Sequence, residues 1–157
     1  MERQRYLILL IISNCFVGKG DYKKYGALAQ RAGIENNVIF AGVHKENLEK
    51  IYLASDIFTM LSRFDTFGMT VLEAMAASLP VIISSNVGAK DLVKEGINGF
   101  VIEDTDNADM ICEKIGFMLD NKTRITMAKE AHNTALNNSW DAVAEKVANI
   151  YKEMLQT

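Results

Sequence analysis

Short, wholly apolar runs alternate along this sequence with stretches whose apolar residues recur at helical spacing. Residues 38–41 and 81–84 are examples of the apolar runs, and residues 22–32 and 107–119 are examples of the helical stretches. Strands that are apolar at successive positions are typical of a sheet buried on both faces. Strands separated by helices of about ten residues or more need crossover connections, which make the sheet parallel. The alternation therefore predicts an α/β fold built on a parallel sheet.

The same patterns predict the remaining elements. Further strands are predicted at residues 7–12, 57–61 and 100–102, and further helices at residues 45–54, 68–77, 89–94, 122–137 and 139–155. Asp21 is a suitable cap for the helix at residues 22–32, and Gly33 is a suitable stop. From residue 107 onward the pattern is helical only. We therefore expect a Rossmann-like sheet flanked by helices, with a helical C-terminal tail.

The composition of the chain argues against several classes of protein. The chain has 157 residues, about half of them apolar, which fits a single domain over residues 1–157 with a packed core. It carries 17 Lys and Arg against 20 Asp and Glu, a balance that argues against a nucleic-acid binder. Residues 7–12 are too few for a membrane span, which needs about 20 apolar residues. Two cysteines indicate a reduced, cytoplasmic setting, and no His and Cys cluster suggests a metal site.

Residues 62–77 carry the most informative pattern, a predicted strand end, a short loop and a helix start. Gly68 removes a side chain where the helix begins, which would let a ligand approach the backbone closely. The free N–H groups of Gly68, Met69 and Thr70, together with the helix dipole, favour a phosphate or diphosphate. Ligands of open α/β sheets bind at the carboxyl ends of strands, where this loop would lie.

Two carboxylates flank this helix start. Asp65 precedes it and Glu73 lies within it, with seven residues between them. Eight helical steps span about 12 Å and return to roughly the same face. Such an arrangement suits a ligand with hydroxyl groups on both sides of a diphosphate, as in a nucleotide sugar. The plain alternatives are that Glu73 is a solvated helix residue and Asp65 an ordinary cap.

Other residues give weaker signals. Residues 18–21 look like a glycine turn between a strand and a helix, although Lys23 stands where a third dinucleotide-binding glycine would be. His44 either faces a ligand or lies on a loop. His132 lies in the helical tail, where we expect it to be solvated.

Three stretches together carry a family pattern, and they read Asp65-Thr66-Phe67-Gly68, Leu72-Glu73-Ala74-Met75-Ala76 and Leu79-Pro80-Val81-Ile82. They resemble the acidic-x7-Glu motif and its surroundings in the C-terminal, nucleotide-sugar-binding half of retaining GT-B glycosyltransferases. The resemblance is to the glycosyl transferases group 1, family four, which includes lipopolysaccharide core glucosyltransferases. It extends over residues 17–151. It implies transfer of a sugar from a UDP- or GDP-sugar to a saccharide or lipid-linked acceptor, with no cofactor and no metal.

The resemblance also implies a role for each matching residue. Glu73 would bind the ribose hydroxyls, Asp65 and Phe67 the donor sugar, Gly68, Met69 and Thr70 the diphosphate, and Gly42 and Val43 would lie near the base. Asp65 replaces the commoner Glu, so its reach is about one methylene shorter.

The chain departs from that pattern in what it lacks. No part of this sequence resembles the family's acceptor domain. Nor does any part resemble its first strand–helix unit, which bears the Arg and Lys that bind the diphosphate, so the chain resembles a fragment. We therefore expect it to be inactive alone, and its unpaired sheet edge to favour self-association. Membrane contact would come only through the absent domain, at the inner face of the membrane. The alternative is a non-catalytic nucleotide-binding or interaction module derived from such an enzyme; the motif disfavours a nucleotide-sugar epimerase.

Overall fold

The computed structural model describes residues 13–44 and 46–156. The chain divides into two compact units, Met1–Lys50 and Ile51–Thr157. The strand predicted at residues 7–12 lies outside the described residues. Within the described part of the chain, no helix combines the length and the apolar character that crossing a membrane requires.

The first unit contains a two-stranded parallel sheet. Its elements are strand β1 (Asn14–Val17), helix α1 (Tyr22–Arg31), a 3₁₀ turn (Glu35–Asn37), strand β2 (Val38–Gly42) and the start of helix α2 (Leu48–Leu53), within which the unit ends. Strand β1 pairs in parallel with β2. The residues of β1 were not predicted as a strand, because Ser13 and Asn14 interrupt the apolar pattern. Strand β1 exists through its pairing with β2 rather than through its own propensity.

Local signals set the bounds of α1 as predicted. The Asp21 side chain accepts a hydrogen bond from the Lys24 N–H at 3.0 Å, and Gly33 follows the helix at a φ of +68°. The ring of Phe40 on β2 contacts the rings of Phe16 and Tyr22, with centroids 5.7 and 5.4 Å away. Several apolar residues of β1 and β2 are nevertheless exposed, so the expectation of a sheet buried on both faces fails in this unit.

The second unit contains a three-stranded parallel sheet in the order β3-β4-β5. Its elements are β3 (Phe58–Met60), α3 (Met69–Ala76), β4 (Val81–Ser84), a 3₁₀ turn (Gly88–Leu92), β5 (Gly99–Ile102), α4 (Ala108–Met118), α5 (Asn121–Leu136) and α6 (Trp140–Leu155). These confirm the predicted order of strands and helices. The helix expected at residues 89–94 is instead the 3₁₀ turn.

Strand β4 lies at the centre of this sheet and is buried on both faces. Val81 and Ile83 pack on one side with Met75 of α3, and Ile82 packs on the other side with Met118 of α4. Helix α5 contributes to both clusters. The uninterrupted apolar run of β4 thus reflects a helix layer on each face, as the sequence predicted.

A buried asparagine joins the turn before β5 to α5. The Asn98 side chain is fully buried, and it accepts a hydrogen bond from the Lys94 N–H at 2.7 Å. Its amide group donates to the Leu92 carbonyl at 3.0 Å and to the Thr134 hydroxyl at 2.9 Å. These three bonds satisfy a polar group whose burial would otherwise be unfavourable.

His132 differs from its expected solvated state. Its side chain is half-buried on α5, and its Nδ1 lies 2.8 Å from the Ala76 carbonyl oxygen at the end of α3. Because a carbonyl oxygen can only accept, Nδ1 carries the proton and donates this bond. His132 therefore connects α5 to α3, and the prediction of a solvated histidine was wrong.

Candidate functional site

The loop between β3 and α3 lies against the residues that follow β4. The Asp65 N–H donates to the Asn86 carbonyl at 3.1 Å, and the Gly88 N–H donates to the Asp65 carbonyl at 3.1 Å. The Ala89 N–H donates to the Phe67 carbonyl at 2.6 Å. Both segments follow the carboxyl ends of their strands, so the backbone of each loop fixes the other at that edge of the sheet.

Gly88 is the point of closest approach between these two loops. A Cβ at this position would lie 2.1 Å from the Thr66 carbonyl oxygen and 3.0 Å from the Phe67 Cα. Only a residue without a side chain allows the two backbones to come so close. The conformation of the Asp65–Phe67 loop therefore depends on a glycine more than twenty positions away in the sequence.

The Asp65 side chain shapes the loop instead of capping the helix. Its Oδ1 accepts a hydrogen bond from the Phe67 N–H at 3.1 Å, two residues along the chain. This is the short-range bond of an Asx turn. The carboxylate is half-buried and held by its neighbour, which rules out the alternative that Asp65 is an ordinary helix cap.

Helix α3 begins without a side-chain cap. Its N-cap residue is Gly68, at a φ of +85°, and no side chain bonds to the first turn. Within the described part of the chain, the N–H groups of Gly68, Met69 and Thr70 donate no hydrogen bond to another group. Free N–H groups at the positive end of a helix dipole attract anions in general, and this helix start offers such groups.

The absence of a side chain at Gly68 has a different cause from the one expected. A Cβ there would lie 2.8 Å from the Val87 Cγ1 and 3.4 Å from the Val71 Cγ2, so it would point into the protein. The left-handed φ also favours glycine. Gly68 is thus required by packing and backbone geometry. The interpretation that the missing side chain makes room for a ligand was wrong.

Glu73 lies on the exposed side of α3, and a tyrosine holds its carboxylate. The Tyr52 hydroxyl, on α2, donates to the Glu73 Oε2 at 3.0 Å. Burial raises the pKa of the Tyr52 hydroxyl well above its usual range, and the hydrogen bond to Glu73 and the charge of Glu73 raise it further. Glu73 therefore has a specific hydrogen-bond partner, which a residue in contact only with solvent would not have.

The other predicted residues of the loop surround the start of α3. Phe67 and Met69 are exposed apolar side chains, and Phe64, which the sequence reasoning did not select, is exposed in the same loop. The Thr70 hydroxyl lies 3.5 Å from the Met60 sulfur, so its side chain lies against β3. The loop thus presents apolar side chains together with free backbone N–H groups.

Gly42 and Val43 belong to the first unit, whereas the other predicted site residues belong to the second. Gly42 ends β2 at a φ of +80°, and its carbonyl accepts a hydrogen bond from the Gly18 N–H at 2.8 Å. Val43 is exposed. His44 follows, and its Nε2 donates to the Ala41 carbonyl at 3.0 Å, so its ring folds back on the end of β2. The residues expected at the sugar, diphosphate and ribose all belong to the second unit, on the continuous segment from Asp65 to Glu73.

No group of three or more His, Cys, Asp or Glu side chains in residues 13–44 and 46–156 is arranged to hold a metal ion.

A sequence model of the family described as glycosyl transferases group 1 matches residues 11–137. The chain belongs to this family. The match extends over parts of both units and includes every residue predicted for the site. The α/β architecture with parallel strands also corresponds to solved glycosyltransferases of the GT-B fold.

The chain spans less than half of the length of the relatives described next. An uncharacterized glycosyltransferase of Methanocaldococcus jannaschii is 32% identical over 139 residues, which cover 86% of this chain and 35% of that protein. The structure of Anabaena HepE in complex with UDP-glucose superposes with a TM-score of 0.73 at 25% identity, over 90% of this chain and 41% of HepE. WaaG, a glycosyltransferase involved in lipopolysaccharide biosynthesis, gives 0.75 at 22% identity, over 95% and 42%.

Proposed function

We propose that this chain is the nucleotide-sugar-binding, C-terminal portion of a retaining glycosyltransferase. The observation that carries the proposal is the uncapped start of α3, whose free N–H groups belong to a segment with Asp65 before them and Glu73 after them in the sequence. A diphosphate would bind the N–H groups, and hydroxyl groups on either side of it would bond to the carboxylates. HepE, which shares the fold, has been crystallised with UDP and with UDP-glucose.

In this proposal each residue keeps the role that the sequence pattern implies. Glu73 binds the ribose hydroxyls, and the N–H groups of Gly68, Met69 and Thr70 bind the diphosphate. Asp65 and Phe67 contact the transferred sugar, and the loop bearing Gly42 and Val43 lies near a uracil or guanine base. The reaction needs no metal, since amides and a helix dipole supply the positive charge for the diphosphate.

Transfer itself requires more than these residues. Holding an acceptor hydroxyl against the donor is worth about 7–11 kcal/mol of barrier, and this part of the reaction is assigned to an acceptor domain. The chain spans 35% to 42% of the lengths of the relatives described above. We propose that it binds donor without steady turnover, and that the whole enzyme acts at the inner face of the membrane in cell-surface polysaccharide or lipopolysaccharide synthesis. Alone, it self-associates.

The test of donor binding is calorimetric titration of the chain with UDP, GDP and their glucose conjugates. Glu73→Gln removes the charge that strengthens two hydrogen bonds to ribose, so nucleotide affinity should fall by about 1.5–3 kcal/mol, or about 10- to 150-fold. Glu145→Gln, which removes one equally exposed carboxylate from α6, is the matched control and should bind like the wild type.

Equal affinity in the wild type and Glu73→Gln, with both folded, would contradict the ribose assignment. Steady transfer of glucose to simple glycosides by the purified chain would contradict the assignment of the chemistry to an acceptor domain. Absence of any nucleotide binding in the wild type would contradict the whole proposal.

A further inference from the structure

We infer that Tyr52 is a positioning residue that holds the Glu73 carboxylate ready for the two ribose hydroxyls of the donor. The inference rests on the proposed function, because it concerns how the residue assigned to ribose is oriented. It starts from the hydrogen bond of 3.0 Å that the Tyr52 hydroxyl donates to the Glu73 Oε2.

An exposed glutamate is a poorly fixed binding group without such a partner. Its three side-chain torsions are free on a helix surface, and ordering them on binding lowers affinity. Glu73 lies on the exposed side of α3, whereas its neighbours Ala74 and Met75 are fully buried. A hydrogen bond from a fixed donor orders the carboxylate before the ligand arrives.

Tyr52 has the rigidity that this role requires. It is half-buried and packs against the hydrophobic core of the second unit together with Phe58. The two rings meet edge to face, with centroids 6.1 Å apart. Since Phe58 is the first residue of β3, the sheet that carries the phosphate-binding loop also fixes the tyrosine that holds Glu73.

The contact leaves the carboxylate able to bind a diol. An ionised carboxylate offers about four acceptor positions, and Tyr52 uses one of them. The remaining positions suffice for two hydroxyl groups. Because burial and Glu73 raise the pKa of the Tyr52 hydroxyl, it stays protonated and remains a donor throughout the neutral range.

The experiment compares Tyr52→Phe with the wild type, using UDP and GDP and their 2′,3′-dideoxy forms as titrants. Phenylalanine keeps the ring packing against Phe58 and removes only the hydroxyl. We expect the variant to bind the better of the two ribose nucleotides about 2- to 10-fold more weakly and to bind its dideoxy form unchanged. Tyr151→Phe, which removes a hydroxyl from an exposed tyrosine on α6, is the matched control and should change neither affinity.

A double-mutant cycle separates positioning from general stability. In the Glu73→Gln background, Tyr52→Phe should cause little further loss, because the group it orients is no longer a carboxylate. Equal weakening of ribose and dideoxy nucleotides by Tyr52→Phe would mean a structural role and would overturn the inference.

The outcomes also separate this inference from the proposed function. A wild-type preference for ribose over dideoxyribose that Tyr52→Phe leaves intact would overturn the role of Tyr52 alone. A wild type with no such preference would overturn the assignment of Glu73 to ribose, and the role of Tyr52 with it.

Discussion

Replacing Gly88 by alanine tests whether the loop before α3 depends on its contact with the segment after β4. The added Cβ would lie 2.1 Å from the Thr66 carbonyl oxygen and 2.9 Å from its carbonyl carbon. Both atoms are backbone, so no side chain can rotate away. The two segments must separate by close to an ångström before the alanine fits.

The energetic cost follows from the bonds that span this contact. The Gly88 N–H to Asp65 carbonyl bond and the Ala89 N–H to Phe67 carbonyl bond cannot both survive that separation. Each is worth about 0.5–1.5 kcal/mol net. Replacing glycine by alanine restricts the unfolded chain and returns about 0.4–1 kcal/mol. With both bonds broken, the midpoints of these ranges, a loss of about 2 kcal/mol and a return of about 0.7 kcal/mol, leave a net loss of about 1.3 kcal/mol in the free energy of unfolding.

The measurement is urea denaturation followed by far-ultraviolet circular dichroism, for Gly88→Ala and for a control. Gly26→Ala is the control, because a Cβ at this helical position of α1 meets no atom within 4 Å. Alanine is the better helix former by about 1 kcal/mol, so this variant should be more stable than the wild type. A Gly88→Ala protein within about 0.5 kcal/mol of the wild type would refute the argument from close approach. In the proposed function this loop also contacts the sugar, so Gly88→Ala should reduce the affinity for UDP-glucose more than the affinity for UDP.

Two further predictions concern the scaffold of the second unit. Asn98→Ala should lower the free energy of unfolding by about 1–3 kcal/mol in urea denaturation, since the Lys94 N–H, the Leu92 carbonyl and the Thr134 hydroxyl lose the buried amide that they bond to; unchanged stability would contradict this. Asp120 caps α5, and the backbone hydrogen bond from Thr123 is the chief reason that the pKa of its carboxyl is lowered. The ionised carboxylate therefore stabilises the folded state fully above its ordinary pKa of 3.8, and this stabilisation is lost as the pH falls through the lower folded-state value. Asp120→Asn, which caps without titrating, should flatten the fall in melting temperature between about pH 5 and pH 2, and an identical acid profile would contradict this.

The elements that the sequence predicted well are those defined by local signals. Strand β4 was recognised because its four residues are apolar and follow Pro80, and the structure gives it the same bounds, Val81–Ser84. Helices α1, α4 and α6 begin after the capping residues Asp21, Asn107 and Ser139, each of which bonds to the first turn as its residue type suggests. Strand β1 was missed because its polar first half becomes a strand only by pairing with β2, which is a tertiary effect.

The candidate site divides in the same way between local and distant contacts. The segment from Asp65 to Glu73 is continuous, so its loop, helix start and carboxylates could be predicted from their order alone. Tyr52 and Gly88 could not, because each reaches the segment from about twenty residues away through the packing of the second unit. The signal for Tyr52 was its residue type, because a tyrosine whose ring packs inward from a helix still needs a polar partner for its hydroxyl.

The distribution of helix caps supports the proposal that the start of α3 binds an anion. The described helices of eight or more residues other than α3 are each capped by an Asp, Asn or Ser side chain, which accepts a hydrogen bond from a backbone N–H of the first turn. These helices are α1, α4, α5 and α6. Helix α3 begins instead at Gly68, and the nearby Asp65 directs its oxygen to Phe67, outside the helix. A capping side chain at this start would occupy the N–H groups that a diphosphate needs. The uncapped loop is held by the close approach at Gly88, and Tyr52 bonds to the Glu73 carboxylate on the same helix. In the proposed function, these contacts order the free N–H groups and the carboxylate before the anionic ligand binds.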